Sequence, residues 1–304
     1  MKKLKIIPIV LAAIVSVGAV GAIGYNVYAN KDNIDFGEIK IEGIPEKEDA
    51  ATRVMSFNVR CADDPEGSIN NRAQIVAAIL DQYAPDSFGV QEATPKWLGK
   101  IDKALGDKYD RVGESRDFFG PFSEYSCVYY RKDKFNLLDS GTIWLSETPE
   151  KKYSVSYDSA CRRIATWAVL EDKQTGAKYT HLNTHLDHVL ESTREAQAQV
   201  LLTKMTELQK NGNVVCTGDF NTAESSKVYA DMTAVTDDTK HSAKNSDKGI
   251  TFHKYGTKED NDDPIDFIFV TKDTKVINYK IIRDTVQGMF PSDHYPIVAD
   301  VVVK

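Results

Sequence analysis

Short apolar runs, some alternating with polar residues and some continuous, recur along the chain, and several end in an amide, a carboxylate or an imidazole. Residues 52–59 alternate and predict a strand that carries Asn58 near its end. Over residues 71–83, Ile75, Ala78, Ile79 and Gln82 fall at helical spacing, with Pro85 just beyond. Residues 87–92 predict a strand that delivers Glu92 at its tip, so the chain opens as a strand–helix–strand unit. A short helix is expected over 97–105, and strands over 124–131 and near 138–145. Residues 162–170 and 178–185 read as a hairpin joined by Lys173-Gln174-Thr175-Gly176, the second strand ending in His185. Residues 192–209 predict a long amphipathic helix with Ala196, Val200, Leu201, Met205 and Leu208 on one side. It leads into Val214-Val215-Cys216, a buried run closed by Thr217-Gly218-Asp219-Phe220-Asn221. After a polar excursion over 223–249, strands are expected at 265–270, 275–282 and 297–303. Helix-crossed and hairpin-joined strands together predict a mixed-sheet α/β sandwich in one domain.

The first thirty residues have a different character. Lys2, Lys3 and Lys5 precede nineteen uncharged residues, Ile6 to Gly24. That is close to the roughly 20 that span a bilayer and longer than the roughly 7–15 of a signal-peptide core. Val27-Tyr28-Ala29 also offers small residues at the spacing of a cleavage site after Ala29. Residues 1–29 are therefore either a transmembrane anchor or a signal peptide. In both cases the lysines leave the remainder outside the cytoplasm, held at the cell membrane or secreted. Residues 30–50 are polar, with Gly37, Gly43 and Pro45, and read as a linker. Residues 51–304 form the folded domain.

The formal net charge is −7, and setting aside the three lysines of residues 1–30 leaves −10 on the rest. That balance disfavours a protein that grips duplex nucleic acid chiefly through its phosphates. Cys61, Cys127, Cys161 and Cys216 show no metal-binding spacing and read as free thiols, Cys127 and Cys216 as small core residues, while a Cys61–Cys161 pair stays open for an exported protein.

The polar residues at strand ends are Asn58, Glu92, His185, Asp219, Asn221, Asp266, Asp293 and His294. Oxygen ligands of this kind suit a hard divalent cation such as Mg2+, which needs only one or two carboxylates. Two histidines without a nearby cysteine disfavour structural zinc. Neither a nucleophile elbow nor a phosphate-binding glycine loop is present. A glycosidase pairing of Glu92 with Asp219 would leave Asn221, His185 and His294 without a role.

Six motifs appear in order: Ser56-Phe57-Asn58-Val59, Gln91-Glu92, Asn183-Thr184-His185, Gly218-Asp219-Phe220-Asn221, Ile265-Asp266-Phe267-Ile268 and Ser292-Asp293-His294-Tyr295-Pro296. Over residues 52–304 the chain resembles the endonuclease/exonuclease/phosphatase superfamily, and through Leu145-Ser146-Glu147-Thr148-Pro149, Arg163 to Trp167, Thr184 to His188 and Thr251-Phe252-His253 it resembles an uncharacterised bacterial branch of it. The resemblance implies a DNase I-like four-layer sandwich, two mixed sheets face to face with helices outside. It implies metal-dependent hydrolysis of a phosphate ester by an activated water, with Mg2+ or Mn2+ as cofactor. By motif position, Glu92 would bind the metal with Asn58 and Asp293. Asp219 would orient or deprotonate the water, and Asn221 would hold the water or the phosphate. His294, its tautomer fixed by Asp266, and His185 would stabilise charge on the phosphate. Tyr125 and Arg163 are candidate substrate-phosphate contacts. The substrate class stays open between nucleic acid, lipid and small molecule, and a monomer is expected. A binding protein that had kept the fold without the chemistry would lack some of these positions, and none is missing.

Overall fold

The computed structural model describes residues 34–118, 120–272 and 274–303. Among the described residues, thirteen strands form two mixed sheets. The first contains β1 (Thr52–Asn58), β2 (Ser87–Gln91), β3 (Tyr109–Val112), β4 (Val128–Arg131), β10 (Asn245–Ser246), β12 (Lys275–Ile281) and β13 (Ile297–Val302), in the order β10-β12-β13-β1-β2-β4-β3. The second contains β5 (Phe135–Trp144), β6 (Ile164–Asp172), β7 (Lys178–His185), β8 (Asn213–Asp219), β9 (Thr236–Asp238) and β11 (Asp266–Thr271), in the order β5-β6-β7-β8-β11-β9. The central pairs β1–β2 and β7–β8 are parallel, each crossed by a helix.

Side chains two apart on a strand share a face, and this parity builds the layers. Met55 and Phe57 of β1 and Val90 of β2 pack outward against α1 (Ile69–Tyr83) and α2 (Pro95–Leu105). On the other side, Leu182, Val214, Cys216, Phe267 and Phe269 pack outward against α3 (Glu191–Leu208) and α4 (Lys227–Val235). Val54, Tyr179, Val215, Ile268 and Val270 fill the space between the sheets. This is the expected four-layer sandwich.

The inward rows become polar toward one end. Gln91 donates to the Oδ1 of Asn183 at 2.6 Å and to the Ser56 hydroxyl at 3.1 Å. The Asn183 amide donates to the Val90 and Cys127 carbonyls, so this seam ties the two sheets together. The sheets approach closely here: a Cβ on Gly89 would lie 2.3 Å from both Asn183 Oδ1 and Thr217 Oγ1. A residue with a side chain at 89 would push the sheets apart.

Several elements depart from expectation. Residues 34–44, expected to belong to a polar linker, lie against α1: Phe36 and Ile41 are buried, and Gln82 bonds to both Ile39 and Ile41. Within the predicted strand 124–131 only Val128–Arg131 joins the ladder, Tyr125 forming isolated bridges to Ala93 and Ser115. The buried face of α3 runs through Thr193, Gln197, Ala198, Leu201, Met205 and Leu208, so Ala196 and Val200 lie to its side. The excursion over 223–249 contains α4, β9, the single turn α5 (Thr239–Ser242) and β10, whose few buried apolar residues give no periodic signal. All four cysteines are free thiols, Cys127 and Cys216 buried. No described helix is long and apolar enough to cross a membrane, and the N-terminal apolar run lies outside the described residues.

Candidate active site

Strand register assembles the centre of the site. In parallel β7–β8, His185 pairs with Asp219, and in antiparallel β8–β11, Asp219 pairs with Asp266. All three side chains belong to inward rows, so they meet at the polar end of the inter-sheet space. Asn58, last residue of β1, reaches across from the other sheet and donates to Asp219 Oδ2 at 2.9 Å and Glu92 Oε1 at 3.1 Å. Ser292 fixes the final motif by donating to the Asn58 carbonyl at 2.7 Å.

Strand parity alone would send Glu92 toward the helix layer. A left-handed backbone (φ 57°) turns it into the site instead, where the Cys61 N–H donates to Oε2 at 2.9 Å. Arg60 and Asn221 are also left-handed, at φ 60° and 50°. Such strain persists where surrounding structure holds it, and it gathers at functional sites.

These residues open onto a cleft of about 330 Å³, lined by Glu92, His185, Asp219, Asn221, Asp293 and His294 together with Arg60, Cys61, Arg116, Glu124, Cys161, Arg163, His188 and Phe252, so two cysteines do stand near the site histidines. Asn58 and Asp266 lie beneath its surface, and Tyr125 is not among its lining residues. Tyr125 packs on the first sheet's outer core instead, and its neighbour Glu124 faces the cleft.

Asp219 is buried, and that burial, together with the nearby Asp266 charge, raises its pKa to about 7. Its Oδ2 lies 3.4 Å from His185 Nε2 and 3.8 Å from His294 Nε2. The Nδ1 of His294 contacts Asp266 Oδ2 at 2.9 Å. Burial opposes the imidazolium of His294, but Asp266 and Asp219 outweigh it and lift the pKa to about 10. His185 behaves oppositely: burial, reinforced by Arg163 and Arg116, holds it well below its usual value. It is therefore neutral, and its Nε2 accepts from the Asn221 amide at 3.0 Å. Asn221 also donates to the Leu186 carbonyl.

Glu92 and Asp293 form the acidic wall. Burial works against ionisation of Glu92, but the bonds from Cys61, the His294 charge and Asn58 leave it below the usual carboxylate range. Burial raises Asp293. The Arg60 guanidinium stands between them, 3.9 Å from Glu92 and 3.7 Å from Asp293. Two convergent carboxylates with a cationic group already drawn to them suit a hard divalent ion bound through oxygen. Of this pair Asn58 holds Glu92 from below, and its own oxygen accepts the Arg60 backbone N–H. Asp219, Asp266 and His294 also place ligand atoms within 4.8 Å of one another, but His294 Nδ1 is already bonded to Asp266. That trio is better suited to handling protons.

The sequence pattern does not single out Arg60, Arg116 or Glu124, and marks Phe252 only as part of the Thr251-Phe252-His253 motif. They sit on loops, where no period marks them. Arg116 and Glu124 face each other at 2.7 Å across the base of the loop that carries the exposed Phe118 and Phe122.

The Endonuclease/Exonuclease/phosphatase family model matches residues 55–294. Among solved structures, an endonuclease/exonuclease/phosphatase from Bacteroides vulgatus is 34% identical, with a TM-score of 0.77 over 84% of this chain and 99% of that one. The mannosyl-6-phosphatase Bt3783 of Bacteroides thetaiotaomicron is 30% identical, with a TM-score of 0.76 over 82% and 99% of the two chains. A functionally unknown conserved protein from Enterococcus faecalis is 25% identical, with a TM-score of 0.75 over 83% and 100%. No match was found among curated proteins. The match spans most of the chain, including every motif from which the cleft is built, and the protein belongs to the endonuclease/exonuclease/phosphatase family of metal-dependent phosphoesterases.

Proposed function

We propose that this protein is a Mg2+-dependent phosphoesterase that works outside the cytoplasm and hydrolyses a small phosphate ester, a phosphomonoester such as a sugar phosphate. The observation that carries the chemical reading is Asp219, buried with a raised pKa and held by Asn58 between His185 and His294. A carboxylate titrating near neutrality is matched to take a proton from water at physiological pH. In this reading Asp219 deprotonates the attacking water, which Asn221 helps to place. Charged His294, held by Asp266, donates to a phosphate oxygen as negative charge builds there. Neutral His185 orients Asn221. The new oxygen–phosphorus bond forms as the bond to the alcohol breaks, and the proton taken from water ends on the departing alcohol. Glu92 and Asp293 would hold the divalent ion, which when bound neutralises phosphate charge and favours departure of the alcohol.

The small-substrate reading is supported by a cleft of about 330 Å³, near the lower end of small-molecule sites, by the acidic chain, and by the 30% identical mannosyl-6-phosphatase. The extracytoplasmic reading is supported by the N-terminal lysines and apolar run. We further propose that the protein acts as a monomer. The test incubates protein starting at residue 31 with sugar phosphates, nitrophenyl mono- and diesters, plasmid DNA and sphingomyelin, with Mg2+, Mn2+ or EDTA. Metal-dependent phosphate release from monoesters, absent in Asp219→Asn, is the expected result. Metal-dependent DNA nicking or release only from lipid would reassign the substrate.

A further inference from the structure

The cleft's arginines make ion pairs, with one exception, which feels Glu124 only at longer range. Arg60 contacts Asp64, Glu92 and Asp293, and Arg116 contacts Glu124 and Asp117. Arg163 also lines the cleft, just before β6, and only 4% of it is exposed. Among the described residues no carboxylate lies within ion-pair distance of it. One terminal nitrogen donates to His188 Nδ1 at 3.1 Å, and its Nε is buried without a partner. A guanidinium cannot lose its proton to escape this situation. A buried charge without a counter-ion is costly, so a fold that keeps one there implies that an anion is supplied from outside. Its backbone is fixed by the Leu145 N–H, which donates to the Arg163 carbonyl at 2.8 Å and sets the residue firmly against the cleft.

We propose that Arg163 is the specificity determinant that makes this cleft select a terminal, doubly charged phosphate over an internal diester; this rests on the phosphoesterase reading above. A monoester has three terminal oxygens. One faces the metal-binding carboxylate wall, one faces His294 and Asn221, and the third takes the free edge of Arg163 in a charge-assisted bond. A diester replaces that third anionic oxygen with an ester oxygen and its carbon substituent. Against Arg163 this leaves the buried cation unneutralised and places carbon against its donors. Arg116 cannot take over, because Glu124 and Asp117 already hold it.

The experiment compares wild type, Arg163→Gln and Arg163→Lys in Mg2+ on 4-nitrophenyl phosphate and bis(4-nitrophenyl) phosphate, with inorganic phosphate as competitive inhibitor. Arg163→Gln should lose about 100-fold in kcat/KM on the monoester and at most about 3-fold on the diester. Phosphate inhibition should weaken in parallel. Arg163→Lys should recover part of the monoester rate, since it restores charge but not the planar fork. Arg163→Gln should not melt below wild type, because it removes a buried cation that has no ion-pair partner. Equal losses on both esters, unchanged phosphate inhibition, or a lowered melting temperature with an unchanged ester ratio would overturn the proposal. Wild-type turnover of the diester alone would also overturn it while leaving the phosphoesterase reading intact. If wild type hydrolyses neither ester, that reading fails, and calorimetry of inorganic phosphate binding then decides the arginine's role: binding lost in Arg163→Gln supports it, and equal binding refutes it.

Discussion

His181 and His294 are both buried between the same two sheets, yet they carry opposite charge states. His181 sits in the inter-sheet seam, its Nδ1 2.6 Å from the Ser87 hydroxyl and its Nε2 2.9 Å from the Thr217 hydroxyl. Both partners are neutral, so desolvation acts alone and lowers its pKa to about 3. His294 lies at the end of that space, between Asp266 and Asp219, and is lifted to about 10. Burial opposes the charge in both. What differs is whether the neighbours are hydroxyls or carboxylates, and that choice separates a polar seam that locks two sheets from a site able to hold and move a proton.

The sharpest way to break this comparison is Asp219→Asn. Turnover should fall by about 1,000-fold or more, while the circular dichroism spectrum stays native. Retained activity would remove Asp219 from its role. His294→Ala should follow, with kcat lower by about 100-fold and KM nearly unchanged; steady-state kinetics that moved KM alone would place His294 outside the transition state. His181→Gln should give the converse profile. It disturbs buried hydroxyls at a cost of about 2 kcal/mol, read by urea denaturation, and leaves kcat of the folded enzyme within about twofold.

The two histidines also predict pH dependences of opposite sign in metal-free protein. For His181 the folded pKa, about 3, lies below the unfolded value, so the unfolded state binds more protons in between. Stability is lost as pH falls below about 6.5, and denaturation curves of His181→Gln should show a shallower acid slope. For His294 the folded pKa, about 10, lies above the unfolded value. Its contribution is fully present below about pH 6.5 and disappears as pH rises through the folded value. Asp266→Asn should therefore lower the His294 midpoint in an NMR titration, and its stability deficit against wild type should shrink between pH 6 and 10. A midpoint that does not move would mean that Asp266 is not what holds the imidazolium.

Much of the sandwich was legible because strand parity is a local property. Met55 and Phe57 alternate with Ser56 and Asn58 whatever the rest of the chain does, and the layers follow from that. Elements that bury few apolar residues were not legible: α4 buries only Val228 and Met232, and residues 34–44 look polar until α1 is there to receive Phe36 and Ile41. Glu124, not Tyr125, faces the cleft because the segment before β4 leaves the ladder, so the parity of an unbroken strand no longer applies.

By itself the sequence determined that carboxylates, amides and imidazoles would stand at the ends of buried strands, and by motif which family they belong to. It also determined that residues 1–29 are unlike the rest. Tertiary structure alone decided which of these groups touch. Register set His185 beside Asp219 and Asp219 beside Asp266. The meeting of the two sheets brought Asn58 to Asp219, 161 positions away in the chain. Loop geometry turned Glu92, Arg116 and Arg163 into one cleft. Residue types and their period are written locally, but a pKa depends on distance and burial, and those are properties of the assembled sheets.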